Sequence, residues 1–263
     1  MTSRVHRTAV VEPGAVLADD VEVGPFAVIG AQVEIGAGSS IGSHVVLAGR
    51  TRLGRDNRIF PFCAIGGVPQ DKKYAGEDTR LEIGDGNTIR EGCTINVGTV
   101  QGGGVTRIGA DNWIMAYVHI AHDCMIGDHT ILANTVLVAG HVTIDDWVVV
   151  GGATGIHQFA RVGAHAMVGA GTILVQDVPP FVTCGGRPTE AHGINSEGLR
   201  RRGFTPETIN ALRRAYRIVF REGHTVADAC VALDALAEAA VEARPHVQLL
   251  RAFIAAPGRG IVR

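Results

Sequence analysis

Residues 11–65 read VEPGAVLADDVEVGPFAVIGAQVEIGAGSSIGSHVVLAGRTRLGRDNRIFPFCAI. Every sixth residue of this stretch is aliphatic, from Val11 through Leu17, Val23, Ile29, Ile35, Ile41, Leu47, Leu53 and Ile59 to Ile65, and Gly24, Gly30, Gly36, Gly42 and Gly54 directly follow five of them. An amphipathic helix returns to its apolar face every 3.6 residues, so a step of six walks a side chain off that face. Short strands joined by turns, with one aliphatic side chain of each hexapeptide facing inward, give the period directly. The stretch therefore predicts a parallel β-helix.

Outward from it, the beat resumes at Ile83, Ile89 and Ile95, then shifts by one residue and runs through Ile108, Ile114, Ile120, Ile126, Leu132, Val138, Ile144, Val150, Ile156, Val162, Val168 and Leu174. Two polar inserts lack it, residues 66–80 (GGVPQDKKYAGEDTR) and 101–107 (QGGGVTR), and both are expected to leave the coil as loops, where a rigid solenoid carries its binding residues. Beyond Asp177-Val178-Pro179-Pro180 the signals turn helical. Thr205 followed by Pro206 predicts a helix start, with Ile209, Leu212, Tyr216, Val219 and Phe220 on one face and Gly223 at its end. Thr225 with Asp228 predicts a second helix closed by Pro245, and Val247 to Ala255 a third. The chain thus divides into a β-helix over residues 1–190 and a helical region over 191–263.

The composition agrees with turns and short strands: 35 Gly among 263 residues, and only 5% aromatic side chains. A net charge of −2 gives no global field for nucleic acid. Five scattered cysteines, without a C-x-x-C pair, argue against a disulfide framework or zinc knuckle and for a reducing, cytoplasmic setting. No apolar run approaches the length of a membrane span.

If three hexapeptides make one triangular coil, residues eighteen apart stack at about the 4.8 Å strand spacing. Stepping up from His122 then reaches Gly140 and Gln158, with His141 and His157 one residue off that line, so His119, His122, His141, His157 and Gln158 converge on one edge of the prism. Asp123 adjoins His122 and is suited to orient its imidazole as a general base. Gly140 offers a backbone N–H for a developing oxyanion. A base beside an amide donor is what acyl transfer from a thioester to a hydroxyl requires. His44, His129 and His165 read as turn fillers.

The strings NRIFPFCAIGGVPQDKKYAGEDTRLEIGD, GTVQGGG, HIAHDCMIGD, ILAN, VAGHV, IHQF, VQDVPP and EGLRRRGF resemble the UDP-N-acetylglucosamine O-acyltransferases, the first enzymes of lipid A biosynthesis. The resemblance covers nearly the whole chain. It implies a left-handed β-helix, a homotrimer with sites between neighbouring subunits, and transfer of a 3-hydroxyacyl group from acyl carrier protein to the sugar 3-hydroxyl, without metal or cofactor. It assigns His122 as the base, Asp123 as its partner and Gly140 as the oxyanion donor. Asp71, Lys73, His119, His141, Gln158, Asn195, Glu197, Arg201 and Arg202 would hold the nucleotide sugar, beside His157 on the same edge. Ala170 stands at the acyl-length ruler, where the family often has Gly. Asn96-Val97 replaces the family's usual His-Arg, which removes one polar contact and one charge expected near the sugar or phosphates. Arg213, Arg214, Arg217 and Arg221 form a basic helical patch suited to an acidic carrier protein.

Other readings stay open on the residues alone. The same fold could acylate a different nucleotide sugar, or bind one without turnover. Imidazoles at His119, His122 and His141 could instead hold zinc in a hydratase of the carbonic anhydrase type.

Overall fold

In the computed structural model, described over residues 3–256 and 258–263, the repeat region is a left-handed parallel β-helix. Its three faces are sheets of eleven, nine and eight strands among the described residues, paired in parallel except for the last strand of the eleven. Most strands are only two residues long, because each hexapeptide must also make a corner. Down the nine-stranded face, Val11, Ile29, Leu47, Ile65, Ile95, Ile120, Val138, Ile156 and Leu174 lie in register, one per coil. From Ile29 onward each is at most 2% exposed. Burying such a side chain is worth about 1.5–3 kcal/mol, so the hexapeptide beat is the core itself.

Each coil takes eighteen residues except where the inserts leave it. Ile65 pairs with Ile95, thirty residues on, and Ile95 with Ile120, twenty-five on. The excesses of twelve and seven are the two loops. Their bounds are tighter than the sequence suggests. The strand Ala64–Gly67 takes in Gly66 and Gly67, and Val105–Ile108 is already a strand paired with Arg80–Ile83. The second excursion is therefore a short 3₁₀ turn, Val100–Gly102, closed by Gly103 at a φ of 94°.

The corners need one residue in the left-handed region, and side chains other than glycine fill many of them. Asp123, His141 and Phe159, at φ of 60°, 62° and 66°, form one row between the nine- and eight-stranded faces. His129, Trp147, His165 and Phe181 form another between the eight- and eleven-stranded faces. Corner side chains project outward and stack with their neighbours one coil up, as in the His141–Phe159 pair, 4.5 Å apart and 10° from parallel.

The β structure continues past Leu174. Val182–Gly185 pairs with Met167 and Val168, and Glu190–Ile194 folds back on it antiparallel. Four helices follow among the described residues: α1 (Ser196–Arg201), α2 (Pro206–Phe220), α3 (Val226–Ala239) and α4 (Arg244–Ala255). The Thr205 and Thr225 caps form as predicted, each hydroxyl accepting the N–H three residues on. Two points differ from the sequence reading. The short α1, capped by Asn195, precedes the predicted helices, and Pro245 lies in the first turn of α4 instead of closing α3. A proline lacks only an N–H that a first helical turn leaves unbonded, so that place accepts it. The helices bury their own core, including Leu199, Leu212, Leu233, Val247 and Leu250, and Phe181 of the last coil joins it. Among the described residues no helix is long and apolar enough to cross a membrane.

Candidate functional site

The corner after strand His119–Ile120 carries His122 and Asp123. Nδ1 of His122 lies 2.7 Å from Oδ2 of Asp123, whose side chain is 1% exposed against 14% for the imidazole. The carboxylate also accepts hydrogen bonds from Thr99 N (2.7 Å) and Thr99 Oγ1 (2.6 Å), while the Asp123 N–H donates to Thr106 Oγ1 (2.8 Å). A carboxylate so supplied with donors is ionised and accepts only, so Nδ1 carries the imidazole proton and Nε2 keeps the lone pair.

Gly140 stands one coil above His122. A Cβ built on it would fall 2.6 Å from Cε1 and 2.8 Å from Nε2 of His122. Only glycine lets the ring lie there. Gly140 is buried, and its N–H donates to no backbone carbonyl among the described residues. A basic nitrogen thus lies close beside the backbone of Gly140, whose amide is uncommitted.

The residues predicted to hold the nucleotide sugar divide between two edges. On the His122 edge, His141 Nε2 lies 3.7 Å from Asp123 Oδ2, and the two imidazoles meet edge to face at 5.1 Å. Burial holds His141 below the usual histidine range. The charges of Asp71 and Lys73, acting in opposite senses, reach it from the first loop. His119 bonds through Nδ1 with Thr94 Oγ1 at 2.7 Å, and burial with the neighbouring His122 lowers it too. Both therefore serve as neutral hydrogen-bonding groups near pH 7. His157 and Gln158 are exposed one coil higher, the His157 ring bonding to the Gln158 carbonyl.

Asn195, Glu197, Arg201 and Arg202 lie instead against the neighbouring edge of the prism. Asn195 donates to the carbonyl of His165, and Arg202 to its Nδ1 at 3.3 Å, with the guanidinium 5.3 Å over the Trp147 ring. His165, pushed down to about 4 by burial and then by the charges of Arg202 and His246, stays neutral and so can accept. It is more than a turn filler. Glu197 and Arg201 pair with each other at 3.1 Å in solvent. One chain does not bring this group to the His122 edge.

Arg213, Arg214 and Arg217 line, with His192, Ser196, Asn210 and Tyr216, a groove of about 840 Å³ beside α2. Arg221 adjoins it over the Tyr216 ring at 5.9 Å. Ala170 lies on the third edge, its backbone against Gly151. Asn96 and Val97 are buried at the root of the first loop, where Asn96 Nδ2 donates to the Val68 carbonyl at 3.0 Å. The sequence reading missed Thr99, Thr106, Trp147 and His165. GTVQGGG was visible as a motif, but the coil that folds it under Asp123 was not.

His122, Asp123 and His141 place three possible metal donors within 4.8 Å. Asp123 Oδ2, however, already accepts from both Thr99 and His122, and Oδ1 accepts from the Thr99 N–H, so three of the carboxylate's four lone pairs are taken. The donor set fits a proton relay better than a metal.

Comparison with known proteins agrees with the fold. Residues 14–49 and 106–140 match the bacterial transferase hexapeptide (six repeats) family, and 177–262 match the family described as Udp N-acetylglucosamine O-acyltransferase, Domain 2. The chain is 58% identical over 261 residues to the acyl-(acyl-carrier-protein)–UDP-N-acetylglucosamine O-acyltransferase of Thiobacillus denitrificans, covering 98% of this chain and 99% of that one. Its counterpart from Verminephrobacter eiseniae is 56% identical, covering 99% and 100%. The solved LpxA of Acinetobacter baumannii superposes with a TM-score of 0.94 at 48% identity, covering 98% of this chain and 99% of that one. UDP-N-acetylglucosamine acyltransferase from Campylobacter jejuni gives 0.90 at 38%, covering 99% and 100%. With relatives at up to 58% identity over nearly its whole length and a solved structure superposing at a TM-score of 0.94, this chain belongs to the UDP-N-acetylglucosamine O-acyltransferase family.

Proposed function

We propose that the protein transfers a 3-hydroxyacyl group from acyl carrier protein to the 3-hydroxyl of UDP-N-acetylglucosamine, with His122 as general base. The observation that carries the reading is the His122–Asp123 pair beneath the uncommitted N–H of Gly140, in a chain of this family. Nε2 of His122 takes the proton of the sugar hydroxyl as its oxygen attacks the thioester carbon. The carbonyl electron pair moves to oxygen, where Gly140 N–H receives it. Collapse restores the C=O, breaks the C–S bond, and His122 returns its proton to the departing sulfur. No covalent enzyme intermediate is needed.

The division of residues between two edges supports a homotrimer. Asp71, Lys73, His119, His141, His157 and Gln158 belong with His122. Asn195, Glu197, Arg201 and Arg202 complete the nucleotide-sugar site only if a second copy sets its tail edge against the first. Cyclic symmetry then repeats that contact. Guanidinium groups at Arg201 and Arg202 suit a diphosphate, and the exposed arginines of α2 suit an acidic carrier protein. Ala170, with a methyl where Gly would leave room, favours a shorter acyl chain.

The test is incubation with UDP-N-acetylglucosamine and a panel of 3-hydroxyacyl carrier proteins, read by mass. An O-acylated nucleotide sugar is expected, and His122→Ala should slow its formation at least about a hundredfold. A folded protein that acylates no member of the panel contradicts the reading.

A further inference from the structure

We propose that Thr99 is a positioning residue of the catalytic base: it holds Asp123 as an aimed, ionised carboxylate, and the glycine run behind it exists to let it. The proposal rests on the acyl-transfer reading of His122. Asp123 is nearly dry, and an isolated carboxylate there would be driven toward its neutral form or would draw the Nδ1 proton to itself. Thr99 opposes both with two donors, its N–H to Oδ1 at 2.7 Å and its hydroxyl to Oδ2 at 2.6 Å. The hydroxyl's direction is set from behind, because Oγ1 accepts the Gly102 N–H at 3.2 Å and so turns its own proton to Asp123.

The loop is shaped around this contact. Thr99 caps the 3₁₀ turn Val100–Gly102 and is 1% exposed. A Cβ on Gly102 would fall 2.0 Å from the Asp123 carboxyl carbon, so no other residue fits while Asp123 stays in place. Thr106 fixes the same corner from the other side through the Asp123 N–H. The excursion between Asn96 and Val105 thus supplies the seat of the base through Thr99 and Gly102.

Thr99→Val keeps the shape and the backbone donor and removes the hydroxyl proton. Asp123 then interacts more strongly with the imidazolium, which stabilises the protonated base. The acid limb of the kcat/KM profile should move to higher pH, kcat should fall roughly tenfold to a hundredfold, and KM for the nucleotide sugar should stay unchanged. Thr99→Ser should restore kcat and the profile. Thr99→Ala, which adds no bulk, takes the place of the valine variant if that one does not fold, with the same expectations. A valine or alanine variant with the parent's kcat and pH profile overturns the proposal, as does a loss expressed only in KM or shared equally by Thr99→Ser. His122→Ala run in parallel separates the two claims. If it is inactive while Thr99→Val is silent, only the role of Thr99 fails; if it is fully active, the base reading fails and this proposal with it.

Discussion

At the scale of single residues, the site depends on what Gly140 lacks. Its missing side chain leaves the space in which the His122 ring lies, and its N–H donates to no backbone carbonyl among the described residues. Gly140→Ala would put a methyl group 2.6 Å from the ring, which must shift to admit it. We predict that kcat falls about a hundredfold, the scale of a displaced base or lost oxyanion donor, while thermal unfolding shows an intact β-helix. Activity within a few-fold of the parent would show that the ring need not lie there. This relation was legible from an eighteen-residue count alone. Thr99 was not, because it is twenty-four residues from Asp123 and meets it only through a loop whose path has no period.

At the scale of elements, the aliphatic beat specifies strands and faces, while corner rows specify where chemistry can be displayed. The beat was legible because burial imposes it at every coil. The corners were harder to read, since a left-handed turn position accepts Phe, His, Asp and Trp alike when each stacks on the next. His165 illustrates the consequence: counted as a filler, it sits against Arg202, Phe181 and Phe204. Its folded pKa lies near 4, below the ordinary value near 6.5. Between those values the unfolded chain binds a proton that the folded chain refuses, so stability is full above about pH 6.5 and declines as pH falls toward 4. His119, His141 and His246 are lowered in the same sense and add to the decline. The thermal midpoint should therefore drop between pH 7 and pH 5, and less so in His165→Phe. Phenylalanine already occupies this backbone geometry at Phe159 and Phe181. An equal drop in both proteins would mean that His165 does not carry its share.

At the scale of the whole molecule, the prism separates two groups that the proposed reaction needs together. His122 stands on one edge and Arg202 on the next, held there by Trp147 and His165. The sequence alone could not reveal this separation, because it places residues along the chain and says nothing of which edge a returning tail will cover. On the proposed reading, a second copy closes the gap. The most direct test of that claim mixes two inactive variants, His122→Ala and Arg202→Ala, by co-expression or joint refolding, and measures acyl transfer. If each site takes its base from one copy and its arginine from the next, random mixing restores roughly one site in four. Activity rising well above either variant alone is the predicted result. A mixture that forms hybrid oligomers yet stays as inactive as its components would contradict the claim.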